Sequence, residues 1–293
     1  MLAQIKTRAA AEGISDTVVN SLIQNAAFIP KIVNRDRNQA EFTMVLSDYL
    51  NNTVSAQRIA DGRKMEQKYP TLLRNVQKTY NIPPSVILAF WGLESHYGNY
   101  KAQYQLSDSF LTLIYEGRRE TFFTNQLIAL MKIADKNNQP LESVRGSWAG
   151  AMGHFQFIPT TLEQYGVDGN NDGKIDIINN ITDAMFSAGN YLNKLGFAAN
   201  EKIIQTVWLP QNFDLSLCDA KTKKTLDEWY AMGISGVPVG DGLVGIVCDA
   251  NVAPAPEFAT AAYLTYPNFY RIKKWNSSNA YSVAIGLLSE ELR

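Results

Sequence analysis

Through most of the first 80 residues, apolar positions recur every three or four residues, the spacing of amphipathic helices rather than strands. "LAQIKTRAAAEG" ends at a glycine stop, and Ser15 and Asp16 can cap the helix that follows. "NQAEFTMVLSDYLNNTVSAQRIADGRKMEQKYPTLLRNVQKTY" then keeps the same spacing, so residues 1–80 are expected as an N-terminal helical region. Pro84 can open a further helix because the first N–H of a helix has no partner in any case, and the apolar run 86–93 carries it on as a buried one. Helices are also expected around "RETFFTNQLIALMKIADKN" and around "TDAMFSAGNYLNKLGF", the latter stopping at Gly196, with a glycine-rich turn region between them. Together these make a core at 81–197. From 198 to 262 the texture changes to short β-rich pieces broken by Gly and Pro: "KIIQTVWLP", "DEWYAMGISGVPVGDGLVGIVCD" and "ANVAPAPEF". Residues 263–293 bring an aromatic cluster whose last part is helical again. The expected fold class is mainly α (α+β), a helical body with a small inserted β-rich domain.

One acid interrupts the apolar run. Glu94 shares its helix face with Ile87, Phe90, Trp91 and Tyr97, and Gly98 leaves the next turn open. A carboxyl group in such surroundings holds its proton to higher pH, because the charged form loses hydration, and could act as a general acid. The alternative is a partly solvated glutamate, or one paired with a buried cation.

Composition narrows the chemistry. The 293 residues are 46% hydrophobic and 19% charged, with 27 basic against 28 acidic residues and a formal net charge of -1, so no polyanion such as nucleic acid is expected as partner. No apolar run is long enough to span a membrane, and the first 25 residues lack signal-peptide order. With only His96 and His154, a Cys/His zinc cluster is excluded and a Ser-His-Asp triad disfavoured. Cys218 and Cys248 can form one disulfide or remain two thiols.

Three stretches carry further chemistry. In "VDGNNDGKIDI", Asp168, Asn170 and Asp172 alternate before Gly173, as in the first half of an EF-hand loop, and Lys174 can offer its carbonyl. Asn179 stands where the closing bidentate Glu is usual, so Asp176 or Asp183 would have to supply that carboxylate; an Asn/Asp/Gly turn without an ion is the other reading. In "GSWAGAMGHFQFIPTTLEQYG", Ser147 and Gln156 are neutral hydrogen-bonding groups among small and apolar residues. The small residues suit either a groove for a hydroxyl-rich ligand or close packing of elements. The aromatics Tyr266, Phe269, Tyr270, Trp275 and Tyr281 could stack on sugar rings or simply fill a core.

Taken in order and spacing, "GLESHYGNY", "GSWAGAMGHFQFIP", the EF-hand-like loop, "DAMFSAGNYL" and "PNFYRIKKWNSSNAYSVAI" resemble the membrane-bound lytic murein transglycosylase B family. The resemblance runs from about residue 80 to 290. It implies a lysozyme-like core that cleaves the β-1,4 bond between N-acetylmuramic acid and N-acetylglucosamine in peptidoglycan, leaving a 1,6-anhydromuramic end. Carried over, Glu94 is the single catalytic acid/base, and Ser147, Gln156, Tyr191, Trp275, Asn276 and Tyr281 line the sugar groove. Trp275 stands where the family commonly has Tyr. Asp168, Asn170, Asp172, Lys174 through its carbonyl, and Asp183 match calcium ligands, with one extra residue before Asp183; no organic cofactor is implied. Glycan strands and cell-wall synthesis or assembly proteins are the implied partners, in the bacterial periplasm or anchored at the outer membrane. Three other functions compete: a lysozyme-type hydrolase using a second acid such as Glu116, Glu120 or Glu163, a peptidoglycan-binding or scaffolding protein without turnover, and a calcium-binding interaction module, for which one irregular loop is little support.

Overall fold

The computed structural model describes residues 1–37, 44–249 and 260–293. The expected strand piece "ANVAPAPEF", and the start of the helical stretch at 38–43, lie outside them. The helices are α1 (Leu2–Ala11), α2 (Asp16–Gln24), α3 (Pro30–Arg37), α4 (Leu46–Thr53), α5 (Ala56–Lys68), α6 (Pro70–Tyr80), α7 (Pro84–Ser95), α8 (Leu106–Glu116), α9 (Glu120–Lys136), α10 (Pro159–Tyr165), α11 (Ile181–Lys194), α12 (Leu226–Ala231), α13 (Pro267–Ile272) and α14 (Asn279–Glu291). Among the described residues, six short strands accompany them: β1 (Tyr104–Gln105), β2 (Arg145–Gly146), β3 (Ile204–Leu209), β4 (Lys224–Thr225), β5 (Leu243–Cys248) and β6 (Thr260–Thr265).

Local chemistry sets many of the ends. The side chains of Ser15, Ser55 and Ser278 accept the N–H groups of Val18, Arg58 and Tyr281, satisfying donors that the first helical turn leaves open. Pro70 begins α6 and Asn81, at φ 57°, closes it in the left-handed conformation. In α7, Val86 to Trp91 are all at most 3% exposed, so this helix is apolar on every side.

The chain forms two compact units, Met1–Phe42 with Glu94–Tyr191, and Thr43–Leu93 with Leu192–Arg293. In the first, α8 and α9 pack on each other, with α10 against α9 and α3 against α8. Here Arg118 and Arg119 both pair with Asp36, which is only 1% exposed. A two-stranded antiparallel ladder, β1 on β2, pairs Tyr104 with Gly146 and leads directly into Ser147.

The second unit holds a four-stranded antiparallel sheet in the order β3-β6-β5-β4. Val207, Ile246 and Leu264 are buried beside Trp229, whose indole N–H donates to the Val244 carbonyl at 2.9 Å. The β-rich expectation for "DEWYAMG" is corrected here, because most of it lies in α12. Thr225 and Glu228 form a capping box, with Glu228 N–H on the Thr225 hydroxyl at 3.1 Å and Thr225 N–H on the Glu228 carboxylate at 2.7 Å. That box starts a helix, and its Trp229 serves the core. Cys218 and Cys248 are joined by a disulfide, which resolves the alternative left open by their spacing.

Candidate active site

Glu94 is the penultimate residue of α7 and half-buried. The helix stops earlier than its apolar pattern suggests. His96, Tyr97 and Gly98 follow at φ 49°, 59° and 87°, three consecutive left-handed residues, so Tyr97 does not continue the helical face of Glu94 as expected. Non-glycine residues cost about 1–2 kcal/mol each in this conformation, so surrounding contacts must hold the turn. The contacts are specific. The Ser95 hydroxyl accepts the Gly98 N–H at 2.9 Å and donates to the His154 carbonyl at 2.6 Å. The Tyr100 hydroxyl accepts the Gly153 N–H at 2.9 Å.

Those contacts seat the turn on a tight hairpin. Met152 and Phe157 exchange N–H···O bonds of 2.9 and 3.0 Å, and Gln156 turns the chain at φ 49°, with its side-chain amide donating to the Gly153 carbonyl at 2.9 Å. Ser147 supports the approach to the hairpin: its N–H donates to the Ala151 carbonyl at 2.8 Å and its hydroxyl accepts the Ala151 N–H at 3.0 Å. A Cβ on Gly150 would lie 2.3 Å from the Phe110 ring, and one on Gly153 would lie 2.4 Å from the Ile177 carbonyl oxygen. The glycines therefore do serve close packing, and that packing shapes the segment carrying Ser147 and Gln156. Tyr191 meets Phe157 edge-on at 5.7 Å and stacks on Tyr165 at 4.4 Å. Burial, with Tyr165 beside it, raises the Tyr191 phenol above its ordinary pKa. Burial also lowers the His154 imidazole, against the opposing pull of Asp176, which favours the neutral ring.

Within the first unit, Ser147, Gln156 and Tyr191 gather around this hairpin, and Ser95 fastens the end of α7 that bears Glu94 to the same hairpin. The other three expected groove residues form a group in the second unit. Phe90 meets Trp275 at 4.7 Å and Tyr281 at 6.0 Å, while the Asn276 side-chain oxygen accepts the N–H of Ser278, the cap of α14. Tyr281 and Phe90 are core residues, so for them the plain packing reading holds as well. Ser95 and Tyr165 were not singled out by sequence pattern. The available signal for Ser95 was its polarity at the end of an apolar helix.

The EF-hand-like segment folds as a loop whose acids turn to backbone amides. Asp168 accepts from Asp172 and Gly173 at 3.1 and 2.8 Å, and Asp172 from Lys174 at 2.9 Å. Asp183, 1% exposed, bridges the loop by accepting from Gly169 at 2.9 Å and Asp176 at 2.8 Å. Asn179 binds the Asp176 carboxylate at 2.9 Å and does not take the closing role. Among the described residues, no group of three or more His, Cys, Asp or Glu side chains is gathered to hold a metal.

The helical body, the acid near the end of a helix whose middle is buried and the small antiparallel sheets together define a lysozyme-like lytic transglycosylase fold. The chain belongs to the Transglycosylase SLT domain family, which matches residues 1–290. It is 27% identical over 250 residues to membrane-bound lytic murein transglycosylase B of Escherichia coli (strain K12), a match covering 83% of this chain and 66% of that protein. The chain thus spans slightly less than two thirds of that relative. SltB3 from Pseudomonas aeruginosa, solved in complex with NAG-anhNAM-pentapeptide, is 35% identical with a TM-score of 0.89, over 99% of this chain and 78% of that one. The Escherichia coli lytic transglycosylase SLT35, solved in complex with calcium, shares the fold at 22% identity and a TM-score of 0.85, over 99% of this chain and 92% of that one.

Proposed function

We propose that this chain is a peptidoglycan lytic transglycosylase with Glu94 as its single acid/base. The observation that carries this reading is the fastening of the α7 terminus, with its half-buried acid, to the hairpin that bears Gln156. Protonated Glu94 donates to the glycosidic oxygen between N-acetylmuramic acid and N-acetylglucosamine while the neighbouring N-acetyl carbonyl stabilises C1. The resulting carboxylate takes the proton of the C6 hydroxyl, whose oxygen attacks C1 and closes a 1,6-anhydro ring without water. Ser147, Gln156, Tyr191, Trp275, Asn276 and Tyr281 orient the sugars. The complex of SltB3 with an anhydro sugar supports this product.

A hydrolase would need a second carboxylate about 5–9 Å from the first. Of the acids weighed for that role, Glu116 pairs with Arg37 at 3.2 Å and Glu163 with Lys132 at 3.1 Å, so both already serve ion pairs of the fold. The core at 81–197 would carry the chemistry, with the β-rich insertion at 198–262 and the return at 263–293 completing the body. Action on this substrate would put the protein at the bacterial cell wall, in the periplasm or anchored at the outer membrane.

The 168–183 loop offers oxygen donors, the kind a hard cation such as Ca²⁺ takes, although its acids are engaged with backbone amides. Asp168, Asn170, Asp172, the Lys174 carbonyl and Asp183 would hold it. Its chemistry would be structural, clamping the loop.

The test is mass spectrometry of products from purified sacculi, with Glu94→Gln alongside. Anhydromuramic ends that fall at least about 100-fold in the variant are expected. Reducing ends carrying an added water, or a variant as active as the parent, would overturn the reading.

A further inference from the structure

Ser95 is 1% exposed, so it cannot touch a bound glycan, yet it occupies the junction between the acid and the groove. Its hydroxyl acts as donor and acceptor at once: the proton goes to the His154 carbonyl and a lone pair takes the Gly98 N–H. The first bond fixes the hairpin tip against the end of α7. The second closes the left-handed turn of His96, Tyr97 and Gly98, the turn at which α7 ends. From the far side, the His154 N–H is held by the Ile177 carbonyl at 3.1 Å, and next to it the Gly153 N–H is held by Tyr100. The backbone at the tip is thus tied from three directions, and only the Ser95 tie comes from the residue bonded to Glu94.

We propose that Ser95 is a positioning residue for the reaction assigned above: it sets the distance between the Glu94 carboxyl and the sugar held by the hairpin. The proposal rests on the reading of Glu94 as proton donor. A positioning role predicts loss in turnover rather than in binding, because a displacement of about 1 Å between acid and scissile bond can cost two orders of magnitude in rate while groove contacts stay intact.

Steady-state kinetics on soluble peptidoglycan fragments test this, with four variants beside the parent. Ser95→Ala is expected to lower kcat at least about 10-fold with KM within about two-fold, and Ser95→Thr, which keeps the hydroxyl, to recover most of it. Tyr100→Phe removes the neighbouring tie without touching the core of α7 and is expected to lower kcat in the same sense by a smaller factor. Glu94→Gln is the control for the underlying reading. If Glu94→Gln is inactive while Ser95→Ala turns over like the parent, the positioning role is overturned and the acid stands; if Glu94→Gln remains active, the acid assignment fails first. A rise in KM with kcat unchanged would overturn the positioning role in favour of a binding one. Should Ser95→Ala fail to fold, an unchanged kcat in Tyr100→Phe and an inactive Ser95→Thr would overturn it equally.

Discussion

At Gly150 the space where a side chain would begin is filled by the Phe110 ring, and the backbone sits at φ 98°. Steric overlap and backbone strain therefore add at one atom. Gly150→Ala is expected to destabilise the fold by about 2–4 kcal/mol, read as a lower urea midpoint at unchanged slope. Asp108 is a different case. It is 8% exposed, and burial raises its carboxyl above the ordinary range, against the Ala27 N–H that donates to it at 3.0 Å. A folded-state pKa above the unfolded one means that the folded chain binds this proton more tightly. Stability from this group is then greatest below the unfolded pKa of about 3.9 and falls as pH rises through the folded value. Asp108→Asn keeps an acceptor for Ala27 and removes the charge. Its melting temperature should exceed the parent's by about 2 °C at pH 7 and match it near pH 3; a lower value at pH 7 would mean that the charged hydrogen bond outweighs burial. Single residues of the site were legible to different degrees. Glu94 was visible because a lone acid in an apolar run is chemically conspicuous. Ser95 was not, since a serine at a helix end is common and its partner His154 lies 59 positions away.

Elements were legible where a local signal set the boundary. Ser15 announced α2, Pro84 opened α7, and α11 ended at Lys194, just before Gly196. Errors arose where two signals competed. The opening "DEWYAMG" of a piece expected to be β-rich is helix instead, because Thr225 and Glu228 at capping-box spacing start α12. Thr225→Ala should cost about 1 kcal/mol, and a thermal melt with no change would mean that Trp229 alone holds α12 in place. The loop from Asp168 to Asp183 shows a further limit. Its alternating acids were plain in the sequence, whereas the bridging of its two sides by Asp183 is a tertiary fact. If the loop takes Ca²⁺, the cation should raise the melting temperature and a chelator should reverse the rise. At 100 times the dissociation constant the gain is about 2.7 kcal/mol, and Asp168→Ala should abolish it.

For the molecule as a whole, the order of helical body and β-rich segment followed from hydrophobic period, because period reports which face an element buries. How the chain divides into units did not. Residues at 1–42 join 94–191, and those at 43–93 join 192–293, a pairing that depends on contacts far apart in sequence. The disulfide is another such contact: Cys218 and Cys248 are 30 positions apart. By loop-closure entropy it is worth about 3–4 kcal/mol, so reduction should lower the melting temperature well beyond assay error. It also closes residues 218–248 into a covalent ring, and inside that ring Val239 is 91% exposed and Leu243 64%. A protease that nicks the chain there opens the ring without releasing a piece. The cut protein should run as one band on a non-reducing gel and as two once thiol is added, so limited digestion at this spot can leave a molecule that is broken in sequence yet whole in mass.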